Sequence, residues 1–115
     1  MSTRRRRLGS AVLNGYLYAV GGEQADNYGD FIALSSVEKY NPATNQWTPV
    51  DAMKKKRYGL GVAVVNQMLL AVGGNDRTSD LGTVEAFDPK TNKWKNHSCM
   101  NDGRNGAGVG VIRVP

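Results

Sequence analysis

The segment Ala19-Val20-Gly21-Gly22 is the strongest indication of the fold, because it recurs as Ala71-Val72-Gly73-Gly74 in this chain of 115 residues. Both copies end an apolar run at a pair of glycines, where no Cβ obstructs a sharp exit of the chain. Outward from each pair, other landmarks recur in the same order: an aromatic residue (Tyr40, Phe87), a tryptophan (Trp47, Trp94), and a methionine followed by an arginine (Met1/Arg5, Met53/Arg57, Met100/Arg104). Such self-similarity predicts an array of structural repeats.

Turn signals divide each repeat into four short strands. Asn14-Gly15 predicts a two-residue hairpin, since both residues tolerate positive φ, and Asn66-Gln67 stands at the same place in the second copy. A second turn begins at Asn41-Pro42 and at Asp88-Pro89. In the first copy the predicted strands are residues 8–13, 16–20 and 36–40, with a fourth that begins at residue 46. In the second copy they are residues 59–65, 68–72 and 83–87, with a fourth that begins at residue 93. Four antiparallel strands in about 50 residues are typical of one blade of a β-propeller.

The chain is thus predicted to be an all-β propeller fragment, with one four-stranded antiparallel blade at 1–52, a second at 53–99, and the first strand of a third repeat at 100–115. The glycine-pair stretch, the run Val37-Glu38-Lys39-Tyr40-Asn41-Pro42 and Trp47 resemble the Kelch repeat, and the second copy matches at the same places. The resemblance points to BTB–Kelch proteins, whose propellers typically have six blades. It implies that four further repeats and a BTB domain precede this chain, and that residues 107–114 close the propeller.

The resemblance implies a protein that binds other proteins and catalyses nothing. The leading interpretation is substrate recognition for a cullin-RING ubiquitin ligase, with the cullin held only through a BTB domain that this chain lacks. The alternative is binding to actin and the cytoskeleton, which target capture and actin co-sedimentation would distinguish. Oxidases and sialidases are also built on propellers. We expect neither activity, because the chain has one histidine and two blades cannot enclose a sialidase-type centre.

Kelch-like propellers bind targets on a face made of two sets of loops, and the resemblance assigns residues of this chain to each set. The first set precedes the innermost strand of each blade and the second follows the glycine pair. The first offers Arg5, Arg6, Arg57, Tyr58, Arg104 and Asn105, and the second offers Glu23, Asn75 and Arg77. Arginine presents a planar fork that suits carboxylates. If Arg57 and Arg104 belong to the partner surface, reversing them to glutamate abolishes target capture with little change in melting temperature; the alternative is that the repeated arginines tie the blades together.

The cysteine and histidine content and the distribution of charge indicate which kinds of binding site and partner to expect. The lone Cys99 excludes an internal disulfide, and with the lone His97 it cannot form a zinc site, so we expect no metal and no cofactor. Two basic runs, 4–7 and 54–57, lie at one end of the blades according to the repeat and have no interleaved aromatic residues, which favours an acidic peptide over nucleic acid as the partner. The third alternative is that these residues are a solvated rim without a specific partner. Residues 58–75 carry no charge, but four glycines and Asn66-Gln67 argue against a membrane span. A cytoplasmic protein is expected.

Two further expectations concern packing. We expect the blades to pack face to face through Trp47 and Trp94, and the isolated chain to be unstable or to self-associate, because repeat arrays generally need three or more units. The first post-glycine loop, 23–34, is unusually long and carries Tyr28 and Phe31 among carboxylates. It is either a partner-specific contact or an idiosyncratic insertion.

Overall fold

The structure is a computed structural model that describes residues 4–99. Within that range every regular element is a strand. The strands are β1 (Gly9–Leu13), β2 (Tyr16–Val20), β3 (Glu23–Ala25), β4 (Phe31–Ala33), β5 (Val37–Asn41), β6 (Gln46–Pro49), β7 (Gly61–Val65), β8 (Met68–Val72), β9 (Thr83–Asp88) and β10 (Lys93–Cys99). The strand predicted within 100–115, with Arg104 and Asn105, lies outside the described residues.

The strands form two antiparallel four-stranded sheets and one small hairpin. Blade one has the order β1-β2-β5-β6, and blade two has the equivalent order β7-β8-β9-β10. The predicted all-β fold with four-stranded antiparallel blades is therefore confirmed. The hairpin of β3 and β4, which was not predicted from the sequence, lies within the long loop after the first glycine pair.

The hairpin turns form as their residues predict. Asn14 and Gly15 both have positive φ, 54° and 81°, which matches the twist of the strands they join. Asn66 and Gln67 have φ of 51° and 65° in the equivalent turn, so the second blade keeps this geometry without a glycine. These turns, with those that join β5 to β6 and β9 to β10, define one end of the blades. The loops that follow the glycine pairs and link the blades define the other end, here called the loop face.

A hydrophobic core fills the space between the blades. Blade one contributes Tyr18 and Val20, and blade two contributes Leu69, Phe87 and Trp94. The rings of Tyr18 and Phe87 lie 5.8 Å apart across the boundary. Burial of large aromatic side chains between sheets is a main source of stability in such stacked units.

The expectation that Trp47 and Trp94 meet is wrong. Each tryptophan instead packs on the third-strand aromatic residue of its own blade: Trp47 lies 5.1 Å from Tyr40, and Trp94 lies 5.2 Å from Phe87. Trp94 belongs to the core between the blades, whereas Trp47 lies on the opposite, outward face of blade one with Leu17. The reason is geometric, because blades that stack head to tail repeat the same residue on equivalent faces and not on facing ones.

Candidate partner-binding face

The two predicted sets of loops meet at the loop face. Arg6, before β1, pairs through its backbone with Glu23 after the first glycine pair, with N···O distances of 3.0 and 2.9 Å. Tyr58, before β7, pairs in the same way with Asn75, again at 3.0 and 2.9 Å. The repeat thus fixes both loop sets to one another by a short backbone bridge in each blade.

The glycine pair makes this close approach possible. Gly21 and Gly22 have φ of 62° and 99°, and the Gly22 amide donates to the Arg57 carbonyl at 2.6 Å. A Cβ on Gly21 would lie 2.5 Å from that carbonyl oxygen, and one on Gly22 would lie 2.8 Å from the Arg6 carbonyl oxygen. Only glycine suits this conformation and this spacing. The glycine pair of blade one therefore provides the space in which the segment that links the blades packs.

The repeated arginine closes the opening between the second and third strands of each blade. The Arg57 guanidinium donates to the carbonyls of Gly73 and Thr83 at 2.9 Å each, to Thr83 Oγ1 at 2.8 Å, and to Glu85 Oε2 at 3.1 and 3.2 Å. The Glu85 carboxylate also accepts the amides of Lys54 and Lys55. Burial lowers the pKa of Arg57, and the adjacent Glu85 carboxylate acts against that change. Arginine stays charged in proteins, so this is a buried ion pair.

Arg5 makes the same closure in blade one. Its guanidinium donates to the carbonyls of Gly21 and Ser36 at 2.9 and 2.8 Å, and to Glu38 Oε2 at 3.0 Å. The side chains of Arg5 and Arg57 are both 0% exposed. A partner cannot reach these guanidinium groups, so the structure corrects the prediction that Arg5 and Arg57 contact a partner and supports the alternative of a structural tie. A glutamate on the third strand of each repeat, Glu38 or Glu85, was the sequence signal for it.

Arg6, Glu23 and Arg77 form a linked group across the two blades. Arg6 Nε donates to Glu23 Oε1 at 2.8 Å, and an Arg77 guanidinium nitrogen lies 3.3 Å from Glu23 Oε2. The Glu23 side chain is 1% exposed, whereas those of Arg6 and Arg77 are 57% and 43% exposed. One buried carboxylate therefore holds two accessible guanidinium groups on the loop face, and Glu23 itself is not available to a partner.

Tyr58 and Asn75 have different parts in the face. Tyr58 is half-buried, and the Arg7 guanidinium lies 5.2 Å from the centre of its ring. The Asn75 side chain is used within its own loop, because Nδ2 donates to Asp80 at 2.8 Å and Oδ1 accepts the Arg77 amide at 2.6 Å. Asn75 thus shapes the loop that carries Arg77. Arg7 also belongs to the face, although the sequence predicted it there only as part of the basic run 4–7 and not as a contact residue.

The β3–β4 hairpin packs beside Arg6. The Arg6 guanidinium lies 3.6 Å from the centre of the Phe31 ring, a cation–π contact. At the tip, Asp26 accepts the amides of Tyr28 and Asp30 at 2.8 and 3.0 Å, which leaves Tyr28 91% exposed. A cavity of about 450 Å³ opens beside the hairpin, lined by Arg4, Arg5, Arg6, Glu23, Gln24, Ala25 and Phe31.

Most of the exposed charge on the loop face is positive, but it is interrupted by carboxylates. The exposed basic residues are Arg4, Arg6, Arg7, Lys54, Lys55, Lys56 and Arg77. Asp76 lies among them, and donors from Thr78 and Ser79 lower its pKa to about 2, so it is ionised at neutral pH. Across residues 4–99, no cluster of three or more histidine, cysteine, aspartate or glutamate residues could hold a metal ion. The same range holds no helix of the length and apolarity needed to cross a membrane.

Comparison with known proteins agrees with this architecture. Residues 4–54 and 56–101 match the family model described as Kelch motif. The chain is 38% identical over 68 residues to human Kelch-like protein 42, covering 59% of this chain and 13% of that protein. It is 36% identical over 81 residues to human Kelch-like protein 22, with coverage of 70% and 12%, and 42% identical over 68 residues to Kelch-like ECH-associated protein 1A of Danio rerio, with coverage of 59% and 11%.

A solved structure gives the same result for the fold. The structure of YjhT superposes with a TM-score of 0.79 at 22% identity, covering 89% of this chain and 40% of YjhT. The chain spans no more than 13% of the length of the three relatives. The two blades therefore correspond to a small part of much longer proteins.

Proposed function

We propose that the loop face binds a segment of another protein and that the chain itself catalyses no reaction. The basis is that this chain belongs to the Kelch motif family, whose model matches both blades. One of its relatives, Kelch-like ECH-associated protein 1A, is named for association with another protein. A rigid sheet scaffold that presents several loops at one end is a common way to build a binding surface.

One observation carries this proposal: accessible guanidinium groups are anchored from below by buried groups. Glu23 holds Arg6 and Arg77 while leaving much of both side chains exposed. Phe31 supports Arg6 from the hairpin side. Anchored arginines lose little conformational freedom when they bind, and their planar forks suit carboxylates. We therefore favour an acidic protein segment as the ligand, with Arg6 and Arg77 as contact residues and Tyr58 at the border of the surface.

The wider role that we propose is substrate recognition for a cullin-RING ubiquitin ligase in the cytoplasm. In this account the chain forms part of a propeller that captures the target, and a BTB domain elsewhere in the parent protein holds the cullin. The similarity to several Kelch-like proteins supports this proposal. It predicts that cells lacking the parent protein accumulate the captured target in a less ubiquitinated form.

Charge reversal on the face tests the binding proposal. The variant Arg6→Glu/Arg77→Glu is expected to lose target capture by the immobilised parent propeller. Lys90→Glu is the control, because Lys90 is an exposed cation in the β9–β10 turn at the other end of blade two. Equal capture by the parent propeller and the face variant, with both folded by circular dichroism, would refute the proposal.

We also propose that the isolated chain self-associates. The outward face of blade one carries Val12 and Leu17, which are 63% and 36% exposed, beside the partly buried Trp47. The equivalent face of blade two is covered by blade one. Exposed apolar faces of stacked units drive association. Light scattering is expected to give a mass above 12.5 kDa that falls in Leu17→Lys; a cooperatively melting monomer of 12.5 kDa would refute this.

A further inference from the structure

A second cavity lies at the end of the blades opposite the loop face. Its volume is about 220 Å³, and it opens between blade one and the β9–β10 turn of blade two. Blade one supplies an amide, two phenols and an ammonium group, all of which can donate hydrogen bonds, and blade two supplies a second ammonium group. Within residues 4–99, neither ammonium group pairs with a carboxylate. The lining residues are Asn14, Tyr16, Tyr18, Lys39, Pro89 and Lys90.

The Tyr18 side chain is buried, but its hydroxyl has no protein partner. Only 2% of the residue is exposed, and its ring packs against Phe87 across the blade boundary. No residue in the described range 4–99 forms a hydrogen bond with this hydroxyl. Buried polar groups are normally hydrogen-bonded, and one without a partner lowers the stability of the folded state. An acceptor atom of a ligand in the cavity would satisfy this donor.

The charge around the cavity suits an anion. The Lys39 ammonium group lies 4.6 Å from the centre of the Tyr16 ring, so a cation–π contact holds it beside the cavity. Burial, and after it the neighbouring Tyr16, raises the pKa of Tyr18, so its hydroxyl stays protonated and can donate at neutral pH. The Asp88 carboxylate, in the same turn as Lys90, accepts the Lys90 amide at 2.9 Å and is thus used within that turn.

The polar groups of blade one stand where blade two has apolar residues. The repeat aligns β2 with β8 and β5 with β9, and the aligned pairs are Tyr16 with Met68, Tyr18 with Leu70, and Lys39 with Ala86. In blade two these positions belong to a hydrophobic cluster. Stacking of the sheets therefore requires no hydroxyl or ammonium group at these positions. Their concentration around one cavity indicates a ligand.

We propose that this cavity binds a phosphate monoester, with Lys39 and Lys90 as the cations and the Tyr18 hydroxyl as a buried donor. At neutral pH such a group carries about 1.5 to 2 negative charges and presents three acceptor oxygens. This matches two ammonium groups and phenol donors on different sides of the cavity better than a carboxylate with a single charge. The phosphate belongs to a small metabolite or to a phosphorylated protein side chain. The site is separate from the loop face.

Isothermal titration calorimetry of the full chain tests the proposal with two probes, glycerophosphate and the tripeptide glycyl-phosphoseryl-glycine. Saturable binding is expected, and the tighter probe identifies the source of the phosphate. Tyr18→Phe keeps the ring on Phe87 and removes only the hydroxyl. It is expected to weaken binding roughly tenfold, while the melting temperature of the ligand-free protein stays the same or rises. Tyr28→Phe is the matched control, because Tyr28 is 91% exposed on the loop-face hairpin, and its affinity should not change.

A second pair of variants tests the charge. Lys39→Ala introduces the residue type that blade two has at the equivalent position and is expected to weaken binding roughly tenfold. Lys56→Ala removes an exposed cation of the loop face and should leave the affinity unchanged.

Three results would overturn the proposal. The first is the absence of saturable binding of both probes. The second is unchanged affinity in Tyr18→Phe, or a clear fall in its melting temperature, which would show that the hydroxyl already has a protein partner. The third is an equal loss of affinity in Lys39→Ala and Lys56→Ala, which would show a general effect of net charge.

Discussion

Replacing Arg57 by alanine is expected to destabilise the protein far more than replacing any exposed arginine would. The substitution removes five side-chain donor contacts and leaves the Glu85 carboxylate, which is 0% exposed, without its cation. Removing one partner of a buried ion pair costs about 3–5 kcal/mol. A net value of about 1 kcal/mol for each lost hydrogen bond gives a similar sum.

The loss expected for Arg57→Ala is a large fraction of the free energy of unfolding. At about 0.05–0.15 kcal/mol per residue, a stably folded domain of 115 residues has a free energy of unfolding of about 6–17 kcal/mol. Urea unfolding followed by tryptophan fluorescence measures the loss, because Trp94 is buried between the blades. Arg4→Ala is the control: Arg4 is exposed, and a change within about 0.5 kcal/mol is expected.

A double variant separates loss of packing from the isolated charge. Arg57→Met/Glu85→Gln removes both charges and keeps an acceptor for the Lys54 and Lys55 amides, so it is expected to recover at least half of the loss. A loss below about 1 kcal/mol in Arg57→Ala would refute the structural role of this arginine. It would also reopen the partner-contact interpretation that its burial overturns.

Two other predictions concern the loops. Gly74→Ala is expected to lower the free energy of unfolding in urea by about 2 kcal/mol or more, because φ is 89° and the new Cβ would lie 2.8 Å from the Tyr58 carbonyl oxygen. Gly15→Ala, with φ of 81° and open space around the new Cβ, is expected to lower it by about half as much. Equal losses in the two variants would contradict the close approach at Gly74. The pKa of Asp76, lowered to about 2, predicts that loop order is complete above its ordinary value of 3.8 and is lost as the pH falls through 2. Carbon-detected NMR titration checks this, and Thr78→Val should move the midpoint upward; a wild-type midpoint near 3.8 would contradict it.

Much of the fold follows from the sequence because the repeat and its turns are local signals. Asn14-Gly15 and the glycine pairs fix strand ends through φ preferences that need no tertiary contact. The β3–β4 hairpin was missed although its turn signal was present: Gly29 has φ of 87° at the tip. The strands on either side have three residues each, too few for a clear alternation of apolar and polar residues.

The site was harder to predict because exposure depends on partners distant in sequence. Arg5 and Arg6 are adjacent, yet the first is buried against Glu38 and the second is exposed beside Glu23. Two repeated signals distinguish the structural arginine of each blade: its spacing from a methionine (Met1/Arg5, Met53/Arg57) and the third-strand glutamate, Glu38 or Glu85. The link from Arg77 to Glu23 crosses the blade boundary, and such a contact follows from three-dimensional stacking and not from any spacing along the chain.

Hydrogen–deuterium exchange of the parent propeller, free and bound to its captured protein, shows directly whether the loop face is the binding surface. Binding is expected to protect backbone amides at the loop face, in residues 4–8, 23–34, 54–59 and 75–80. Amides in the turns at the other end, 14–15, 66–67 and 88–91, are predicted to exchange at unchanged rates. Protection confined to those turns, with the loop face unaffected, would show that a partner binds at the other end of the blades.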